Sequence, residues 1–573
     1  MKIIKIAFSI VVLSSLSIFG CKENKIESTN DIVIRLANEP EHIHPILFPN
    51  ALAREVYQYI FNPLAEINSE TLELDALLLT RIPELTVDGE GKFKMEAEIK
   101  PEASWEDGSP VTGYDYLFTI KMIKHPLTGA DAYRPSVEAI SDIIINSTNP
   151  KKFTIIFDDY QLLMKENALT VEVLPLYIYD ARRLSEYFSL GDLKDVVKLK
   201  QLESDSSFTE FAEMINDPKY SHDIVSGSGP YKLDKWEAGQ VIILLQKENY
   251  WGENSTLASL MSNPDKILFT ILPDENAAMS QLSTGEIDVI NGVTNETYKV
   301  FSDSNKGSDN IDLMKVQMPR YYFYVMNHMR PVMADKSVRI ALSLLVDVDQ
   351  YITVFESGDA TKLTSFVPPF MPGYNKDLKP RSYDLEEAKS VLESGGWNDT
   401  NGNGIRDKVV NGKPTELKLV VYASAALSSN ICLLLKDAAA KAGIAIDVIQ
   451  KDFATIRKEH LRTGDFDMVA SAASLDIVLD DPYGWYHSDN VGEGNLSRYS
   501  NKSADSLINI IRSEPSMPKV IKAHHELQAK LYDDVVGIYL YAPKDRVALS
   551  KDWIGSPSLR RPGYQANSFK IRN

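Results

Sequence analysis

Apolar residues recur along this chain with the periods of both helices and strands. A helical spacing of three and four residues follows candidate N-caps at Thr112, Asp335 and Asp384. The stretch 428–442 has the same spacing and ends at Gly443, a residue type that commonly terminates helices. The pattern therefore predicts several amphipathic helices spread over the length of the chain.

Short runs of apolar residues between these helices predict strands. Gly443 is followed by an alternating segment from Ile444 to Val448, and the helix that stops at Gly285 is followed by Ile287 and Val289. Further candidates are Ile32–Leu36, Phe153–Phe157, Val241–Leu245, Leu417–Tyr422 and Phe466–Ala470. Strands that alternate with helices indicate α/β domains with open, partly parallel sheets, which bind ligands beyond the strand ends.

Chain length, charge and cysteine content limit the classes of function that this protein can have. The chain has 573 residues, which suggests two or three domains. It has 80 acidic and 61 basic residues and a net charge of −19, whereas nucleic-acid binding usually requires a basic surface. Because of this acidic balance, we expect no nucleic-acid partner. The two cysteines, Cys21 and Cys432, are too few for a disulfide framework.

The N-terminus has the features of a secretion signal. Lys2 and Lys5 precede the apolar stretch 6–19, which is shorter than the roughly 20 apolar residues that a membrane-spanning helix needs. The stretch ends in Ile18-Phe19-Gly20-Cys21, which resembles a bacterial lipobox. We predict a lipoprotein signal peptide over 1–20, lipidation of Cys21, a tether over 21–30, and a protein held at the cell envelope by its lipid. An ordinary signal peptide beside a cysteine is the alternative.

Motifs of catalysis are missing from the sequence. There is no Gly-x-Ser-x-Gly and no Walker-type loop, and His525-Glu526 is not followed by the second histidine of a zinc helix. His42 and His44 could supply two ligands to a metal ion, but the sequence shows no evident third ligand. We therefore expect neither an enzyme nor a cofactor.

A second weak metal candidate follows the helix that begins after Asp384. Asp399, Asn401, Asn403 and Asp407 occupy the first, third, fifth and ninth positions of a calcium loop. The final bidentate glutamate is replaced by Val410. An Asn/Gly-rich turn explains the same residues, and we favour the turn.

Several phrases, in order, resemble the family 5 solute-binding proteins of ABC importers, the oligopeptide-, dipeptide- and nickel-binding group. The most recognisable are Trp105–Asp115, which is similar to WxDGxPVTAxD with Gly113 in place of alanine, and Gly227–Tyr231, which is similar to GTGPY. The others are Val56–Leu64, Lys247–Gly252, Gly285–Asp288, Asp335–Asp347, Tyr383–Trp397, Gly464–Asp467 and Asp481-Pro482. Turn and cap chemistry explains the first two, so we interpret them as structural rather than as ligand sites.

The resemblance implies a bilobal periplasmic-binding-protein fold, type II-like, with an additional inserted domain. Lobe I would comprise 30–66, 216–318 and 535–573, the inserted domain 67–215, and lobe II 319–534. Ligand would bind between the lobes, and hinge closure would bury it. The resemblance further implies a peptide or similar small solute as ligand and an ABC permease with ATPase subunits as partner. We also expect a monomer, with the lipid as the contact to the membrane.

One departure from the family concerns ligand recognition. In peptide-binding members a Trp and an Asp lie seven and four residues before the proline of the Asp-Pro pair, and the Asp holds the peptide ammonium. Here these positions are Leu475 and Val478, while Asp476 and Asp480 lie nearby. Asp480 is therefore our candidate for pairing with an ammonium.

The candidate ligand site combines two walls. On lobe I, the loop after Ile32–Leu36 should border the cleft, because loops at sheet ends do. We predict ligand contacts at Glu39, His42 and His44 in that loop, and at Asn327, Asp480, Tyr483, Trp485 and Tyr486 on lobe II. Packing of the three rings on lobe II is the alternative for Tyr483–Tyr486.

A sensor or surface receptor of the same fold, without an importer, is the alternative function.

Overall fold

The computed structural model describes residues 30–47, 50–89, 91–303 and 310–572. The predicted signal peptide, Cys21 and most of the tether lie outside the described residues. Within the described part, no helix combines the length and apolarity needed to cross a bilayer.

The described residues contain these strands in chain order: β1 Asp31–Leu36, β2 Ala65–Ile67, β3 Leu74–Ala76, β4 Leu85–Val87, β5 Phe93–Glu98, β6 Ile140–Ile145, β7 Lys152–Phe157, β8 Tyr231–Glu237, β9 Val241–Gln246, β10 Lys266–Ile271, β11 Val289–Ile290, β12 Ile311–Gln317, β13 Arg320–Met326, β14 Ala360–Lys362, β15 Asp407–Val410, β16 Lys413–Glu416, β17 Lys418–Ala423, β18 Ala445–Gln450, β19 Met468–Ser474, β20 Gly537–Ser550, β21 Trp553–Ile554 and β22 Lys570–Ile571. Each of the seven strands predicted from the apolar runs overlaps an observed strand.

The α-helices of the described residues are α1 Ala51–Tyr57, α2 Gly113–Lys124, α3 Met164–Leu169, α4 Leu176–Tyr179, α5 Leu190–Lys194, α6 Val196–Leu202, α7 Ser206–Ile215, α8 Lys219–His222, α9 Glu275–Thr284, α10 Asn295–Asp303, α11 Lys336–Leu344, α12 Val348–Glu356, α13 Leu385–Ser394, α14 Ala426–Lys441, α15 Phe453–Thr455, α16 Tyr483–Tyr486, α17 Lys502–Ser513 and α18 Met517–Asp534. Short 3-10 segments cover Arg134–Val137, Leu184–Tyr187, Ala258–Leu260, Ser488–Asn490 and Ala566–Ser568, and a π-helical turn covers Ile456–Leu461. Thr112, Asp335 and Asp384 precede α2, α11 and α13 as predicted.

One 12-stranded sheet runs through both lobes in the order β18-β17-β19-β13-β20-β11-β1-β10-β9-β8, with β12 and β14 also paired to β20. The half from β18 to β13 belongs to lobe II and the half from β11 to β8 to lobe I. Parallel and antiparallel pairs both occur: β1 is parallel to β10 and β11, whereas β13 is antiparallel to β19 and β20. This mixed α/β sheet is the architecture that the alternating strands and helices predict.

In the described ranges, two chain segments connect the lobes. One is the junction between β12 and β13 at Met318-Pro319, and the other is β20, whose first half pairs with β13 and whose second half pairs with β12. In β20 the change of partner falls between Tyr541 and Lys544. The sequence predicts that lobe I resumes at 535, whereas β20 pairs with β13 of lobe II from Gly537 to Tyr541.

Charged side chains surround these two crossings. Asp359 accepts from both Lys315, at 2.6 Å, and Lys544, at 2.8 Å, and Arg320 pairs with Asp545 at 2.7 Å. These groups are partly exposed, so each pair adds little to stability by itself. They surround the two backbone segments that pass between the lobes.

The inserted domain has a sheet of its own, in the order β4-β5-β7-β6. Its apolar side chains share one core cluster with lobe I, so the two units pack as one body. The Trp105–Asp115 phrase precedes α2: Gly108 adopts a left-handed φ of 80°, and the Asp115 carboxylate accepts from Thr112 N at 2.8 Å. The phrase thus forms a turn and a helix cap.

At the Gly227–Tyr231 phrase, the backbone lies in close contact with the backbone at Ile60. Gly229 N donates to Ile60 O at 2.8 Å, and a Cβ on Gly227 would lie 2.2 Å from the same carbonyl oxygen. A side chain cannot fit at that distance without moving the backbone. The phrase therefore joins the two segments of lobe I that flank the inserted domain.

Candidate functional site

Strand directions determine which loops face the cleft between the lobes. In lobe I, β1, β10 and β11 are linked by parallel pairing and run toward the crossings. In lobe II, β19 runs in the opposite direction and so also toward the crossings, because Ser474 at its end pairs with Arg320 at the start of β13. The loops after Leu36 and after Ser474 therefore meet at the cleft, as expected where ligands bind at the carboxyl ends of strands.

The lobe I wall is built on α1. Asn50 caps this helix by accepting from Leu52 N at 2.8 Å. Glu55 on the same helix accepts from the Asn291 side chain at 2.9 Å, at the end of β11, and burial raises its pKa to about 7. The helix thereby presents both a cation, Arg54, and a carboxyl group at the cleft end of lobe I.

The inserted domain adds a buried carboxyl group beside Arg54. Glu172 is 8% exposed, and burial raises its pKa to about 7 although the Arg54 charge opposes the shift. Tyr57 and Tyr133 lie next to this pair, and burial raises the pKa of both hydroxyls. Arg54 also interacts electrostatically with Asp476 of lobe II, so this cluster spans the cleft.

The lobe II wall is the segment from Leu475 to Tyr486. Its central carboxyl group, Asp480, is partly buried, and its pKa is raised to about 7 by burial and by the neighbouring charges of Asp481 and Asp476. Among the described residues no Lys, Arg or His approaches the Asp480 carboxylate within 4.0 Å. A carboxylate that loses hydration without gaining a cation is costly, which makes Asp480 suited to a cationic ligand.

Asp481, in contrast, is fully engaged within lobe II. Its carboxylate accepts from Arg512 Nε at 3.0 Å and from Tyr483 N at 3.0 Å. The Arg512 guanidinium also lies 4.1 Å from the centre of the Tyr483 ring. This arrangement fixes the backbone that carries Asp480 and α16.

The aromatic residues of α16 divide between surface and core. Trp485 is partly exposed and contacts Phe323 edge-on, with 6.4 Å between ring centres. Tyr486 is 5% exposed, and its hydroxyl lies 2.9 Å from that of Tyr539 inside lobe II. Tyr486 therefore packs inside lobe II, which is the alternative considered for these rings. Trp485 and Tyr483 keep exposed surface that a ligand could reach.

The predicted lobe I loop lies at the cleft end of the sheet, but the side chains of Glu39 and His44 form hydrogen bonds within lobe I. Glu39 accepts from Trp236 Nε1 at 2.7 Å and from Gly239 N at 3.0 Å, toward the outer edge of the sheet. His44 is 1% exposed, accepts from Leu47 N at 3.0 Å, and has a pKa lowered to about 3 by burial. His42 is partly buried beside it. His44 is therefore neutral and braces the loop.

The expectation that Asn327 lines the cleft is corrected by the strand direction. Asn327 follows Met326, at the end of β13 opposite to Arg320 and the crossing. It is 1% exposed, and its side-chain amide donates to Gly464 O at 2.9 Å and Phe466 O at 3.1 Å. Asn327 is thus a structural residue on the far side of lobe II.

The calcium-loop candidate uses its oxygens to hold a turn. The Asp399 carboxylate accepts from Gly402 N at 2.7 Å and Gly404 N at 2.9 Å, and Asp407 accepts from Thr400 N at 2.9 Å. No group of three or more His, Cys, Asp or Glu that could hold a metal occurs in the described ranges. These bonds agree with the turn that the sequence favoured for Asp399, Asn401, Asn403 and Asp407.

No sequence motif points to the lobe I half of the cluster. Arg54, Tyr133 and Glu172 lie far apart in the chain and share no motif, so tertiary structure alone brings them together. On lobe II, Leu475 donates its N–H to Pro319 O at 2.7 Å and packs on the core, so it supports the loop at the crossing.

Comparison with known proteins shows the family of the chain. The family model "Bacterial extracellular solute-binding proteins, family 5 Middle" matches residues 88–495. The oligopeptide-binding protein AppA of Bacillus subtilis is 24% identical over 547 residues, which cover 93% of this chain and 89% of AppA.

Two solved structures show the same fold. The substrate-binding protein CtaP of Listeria monocytogenes has a TM-score of 0.73 at 18% identity, covering 95% of this chain and 100% of CtaP. An oligopeptide-binding protein of Thermus thermophilus, solved with a pentapeptide, has a TM-score of 0.66 at 18% identity, covering 95% and 96% of the two chains. Together with the family match over most of the chain, these likenesses show that the protein belongs to the family 5 bacterial extracellular solute-binding proteins.

Proposed function

We propose that this protein captures peptides with a free α-ammonium between its lobes and delivers them to an ABC permease while a lipid on Cys21 holds it at the membrane. The observation that carries the ligand class is the Asp480 carboxylate, which is partly buried and has no cation within 4.0 Å among the described residues. An ammonium placed there would form a charge-assisted hydrogen bond and relieve the repulsion from Asp476 and Asp481. Trp485 offers a ring face beside it for an apolar or cationic side chain.

The opposite wall suits the rest of a peptide. Arg54 and the hydroxyl of Tyr133, both partly exposed, are hydrogen-bond donors that can serve peptide carbonyls or a terminal carboxylate. The cleft is thus acidic on lobe II and has a cation on lobe I, so a zwitterionic chain would lie across it. The names of two relatives support the same class: AppA is an oligopeptide-binding protein, and the Thermus thermophilus protein was solved with a pentapeptide.

Capture would proceed by rotation at the two crossings, which leaves each lobe intact. We expect peptides that copurify with the protein to be identifiable by mass spectrometry and, once resynthesised, to compact the ligand-depleted protein. Small-angle X-ray scattering at saturating peptide should then give a smaller radius of gyration than without peptide. If the radius stays the same while calorimetry shows binding, the lobes do not close and the cleft is a fixed scaffold.

The proposed membrane anchor depends on Ile18-Phe19-Gly20-Cys21, outside the described residues. Several acyl chains on one cysteine bind a bilayer far more firmly than a single chain. We expect Cys21→Ser to move nearly all of the protein from the membrane fraction to the soluble fraction and to abolish metabolic labelling by palmitate. Retention of the variant in membranes, with the wild type unlabelled, would refute lipidation.

A further inference from the structure

A leucine of the inserted domain is buried in the core of lobe II. The segment 158–163 connects β7 to α3 in the inserted domain. Leu162 in this segment is 7% exposed and belongs to the apolar cluster formed by β13, α17 and α18 of lobe II, and Leu163 packs against the same cluster. The inserted domain therefore reaches across the cleft.

A backbone hydrogen bond reinforces this contact. Leu162 N donates to Arg512 O at 3.1 Å. Arg512 lies in the last turn of α17, where carbonyl oxygens have no partner within the helix. The inserted domain thus supplies a donor that the end of this helix lacks.

The backbone of the segment is strained where it makes the contact. Leu163 has a φ of 66°, in the left-handed region that side chains other than glycine rarely adopt. Strained residues persist where their surroundings hold them in place, and they concentrate at clamps and switch regions. Here the surroundings include lobe II, since both leucines pack on it.

Arg512 links this contact to the ligand loop. Its carbonyl oxygen receives Leu162, while its guanidinium pairs with Asp481 at 3.0 Å and stacks on Tyr483 at 4.1 Å. Asp481 and Tyr483 adjoin the backbone of Asp480 and Trp485. One residue therefore connects the inserted domain with the wall that would bind a ligand ammonium.

We propose that Gln161–Leu163 is a latch that fastens the inserted domain to lobe II when the lobes close, and that Arg512 is the positioning residue that couples the latch to the loop 480–486. Opening the cleft separates the inserted domain, which packs with lobe I, from lobe II. The latch must therefore break each time the protein opens. It biases the ligand-free protein toward closure, so its effect is measurable without any ligand.

The test compares Leu162→Ser with a matched control. Leu127→Ser makes the same change at a leucine of the inserted domain that is 45% exposed. In ligand-depleted protein, we expect Leu162→Ser to enlarge the radius of gyration measured by scattering. We also expect it to speed amide hydrogen exchange across 480–487 and the end of α17 by tenfold or more. Leu127→Ser should match the wild type in both. Equal radius and equal exchange in Leu162→Ser and wild type would overturn the latch.

A second variant separates the latch from the coupling and guards against misfolding. Arg512→Gln keeps the carbonyl oxygen that binds Leu162 but removes the bonds to Asp481 and Tyr483. We expect faster exchange across 480–487 with an unchanged radius. An unchanged exchange rate there would refute the positioning role. If Leu162→Ser has a lowered melting temperature, Leu162→Ala replaces it in the same comparison, with the same outcomes.

Discussion

Asp480→Asn is expected to weaken binding of a free-amine peptide by roughly ten- to a hundredfold, because a hydrogen bond to a charged group contributes about 1.5–3 kcal/mol. The carboxylate has no cation within 4.0 Å among the described residues, so the ligand ammonium would be its first cationic partner. Asparagine keeps the size and an acceptor oxygen but removes the charge. Isothermal titration calorimetry with resynthesised copurifying peptide measures the loss.

The pH dependence of binding gives a second signature of the same residue. Burial and the charges of Asp481 and Asp476 raise the pKa of Asp480 to about 7. Below that pH the free protein holds a neutral Asp480, and the ligand must displace a proton. Affinity of the wild type should therefore fall as the pH drops from about 8 to about 6, approaching tenfold per pH unit below the pKa. Asp480→Asn should show a weaker dependence, and the part that remains would come from Glu55 and Glu172, whose pKa values burial also raises to about 7.

Controls distinguish lost recognition from lost folding. A carboxyl group whose folded pKa is raised destabilises the protein as pH rises through the interval between its unfolded and folded pKa values, so its replacement by asparagine should not lower the melting temperature at pH 8. Asp437→Asn, at an exposed position of α14, makes the same chemical change far from the cleft and should bind as the wild type does. Wild-type affinity in Asp480→Asn would remove this carboxylate from the site.

Trp397→Ala is expected to destabilise lobe II by about 3–5 kcal/mol, the usual cost of truncating a buried tryptophan. The ring is 0% exposed in the lobe II core, its Nε1 donates to Asp335 at 3.1 Å, and the Lys408 ammonium lies 5.6 Å from the ring centre. Truncation leaves a cavity and also removes a donor from the residue that caps α11. Trp397→Phe keeps most of the packing and should lose less.

Urea unfolding followed by hydrogen exchange measures this loss lobe by lobe, because a chain with several units need not unfold in one step. Exchange should accelerate in α11, α13 and α14, which pack on one core cluster, before it does in lobe I. Equal protection in Trp397→Ala and wild type would show that this tryptophan does not support the lobe II core.

Local features of the fold were predictable because they depend on residues that lie close together in the chain. Asp335 and Asp384 cap their helices through side-chain bonds to backbone N–H groups two or three residues ahead, a distance that a sequence pattern can show. The boundary in β20 was not predictable to the residue. The charged residues Lys544, Asp545 and Arg546 interrupt its apolar run, but a sequence pattern does not show that one strand pairs with two lobes and changes partner between Tyr541 and Lys544.

The site was predictable only in part, for a similar reason. Asp480 followed from its place beside the Asp-Pro pair, but Asn327 was placed at the cleft because the sequence does not show which end of β13 faces it. The antiparallel pairing of β13 with β19 puts Arg320 and Ser474 at the crossing and Asn327 at the opposite end. Arg54 and Glu172 come together only through tertiary folding.

The measurement that tests the central claim most directly is the affinity of the wild-type protein for a resynthesised copurifying peptide and for the same peptide with an acetylated amine. Acetylation removes the positive charge that Asp480 is proposed to bind and leaves the rest of the peptide unchanged. Our account predicts that the free-amine peptide binds at least about tenfold more tightly at pH 8, since the lost charged hydrogen bond contributes about 1.5 kcal/mol or more. Equal affinities for the two peptides would contradict it.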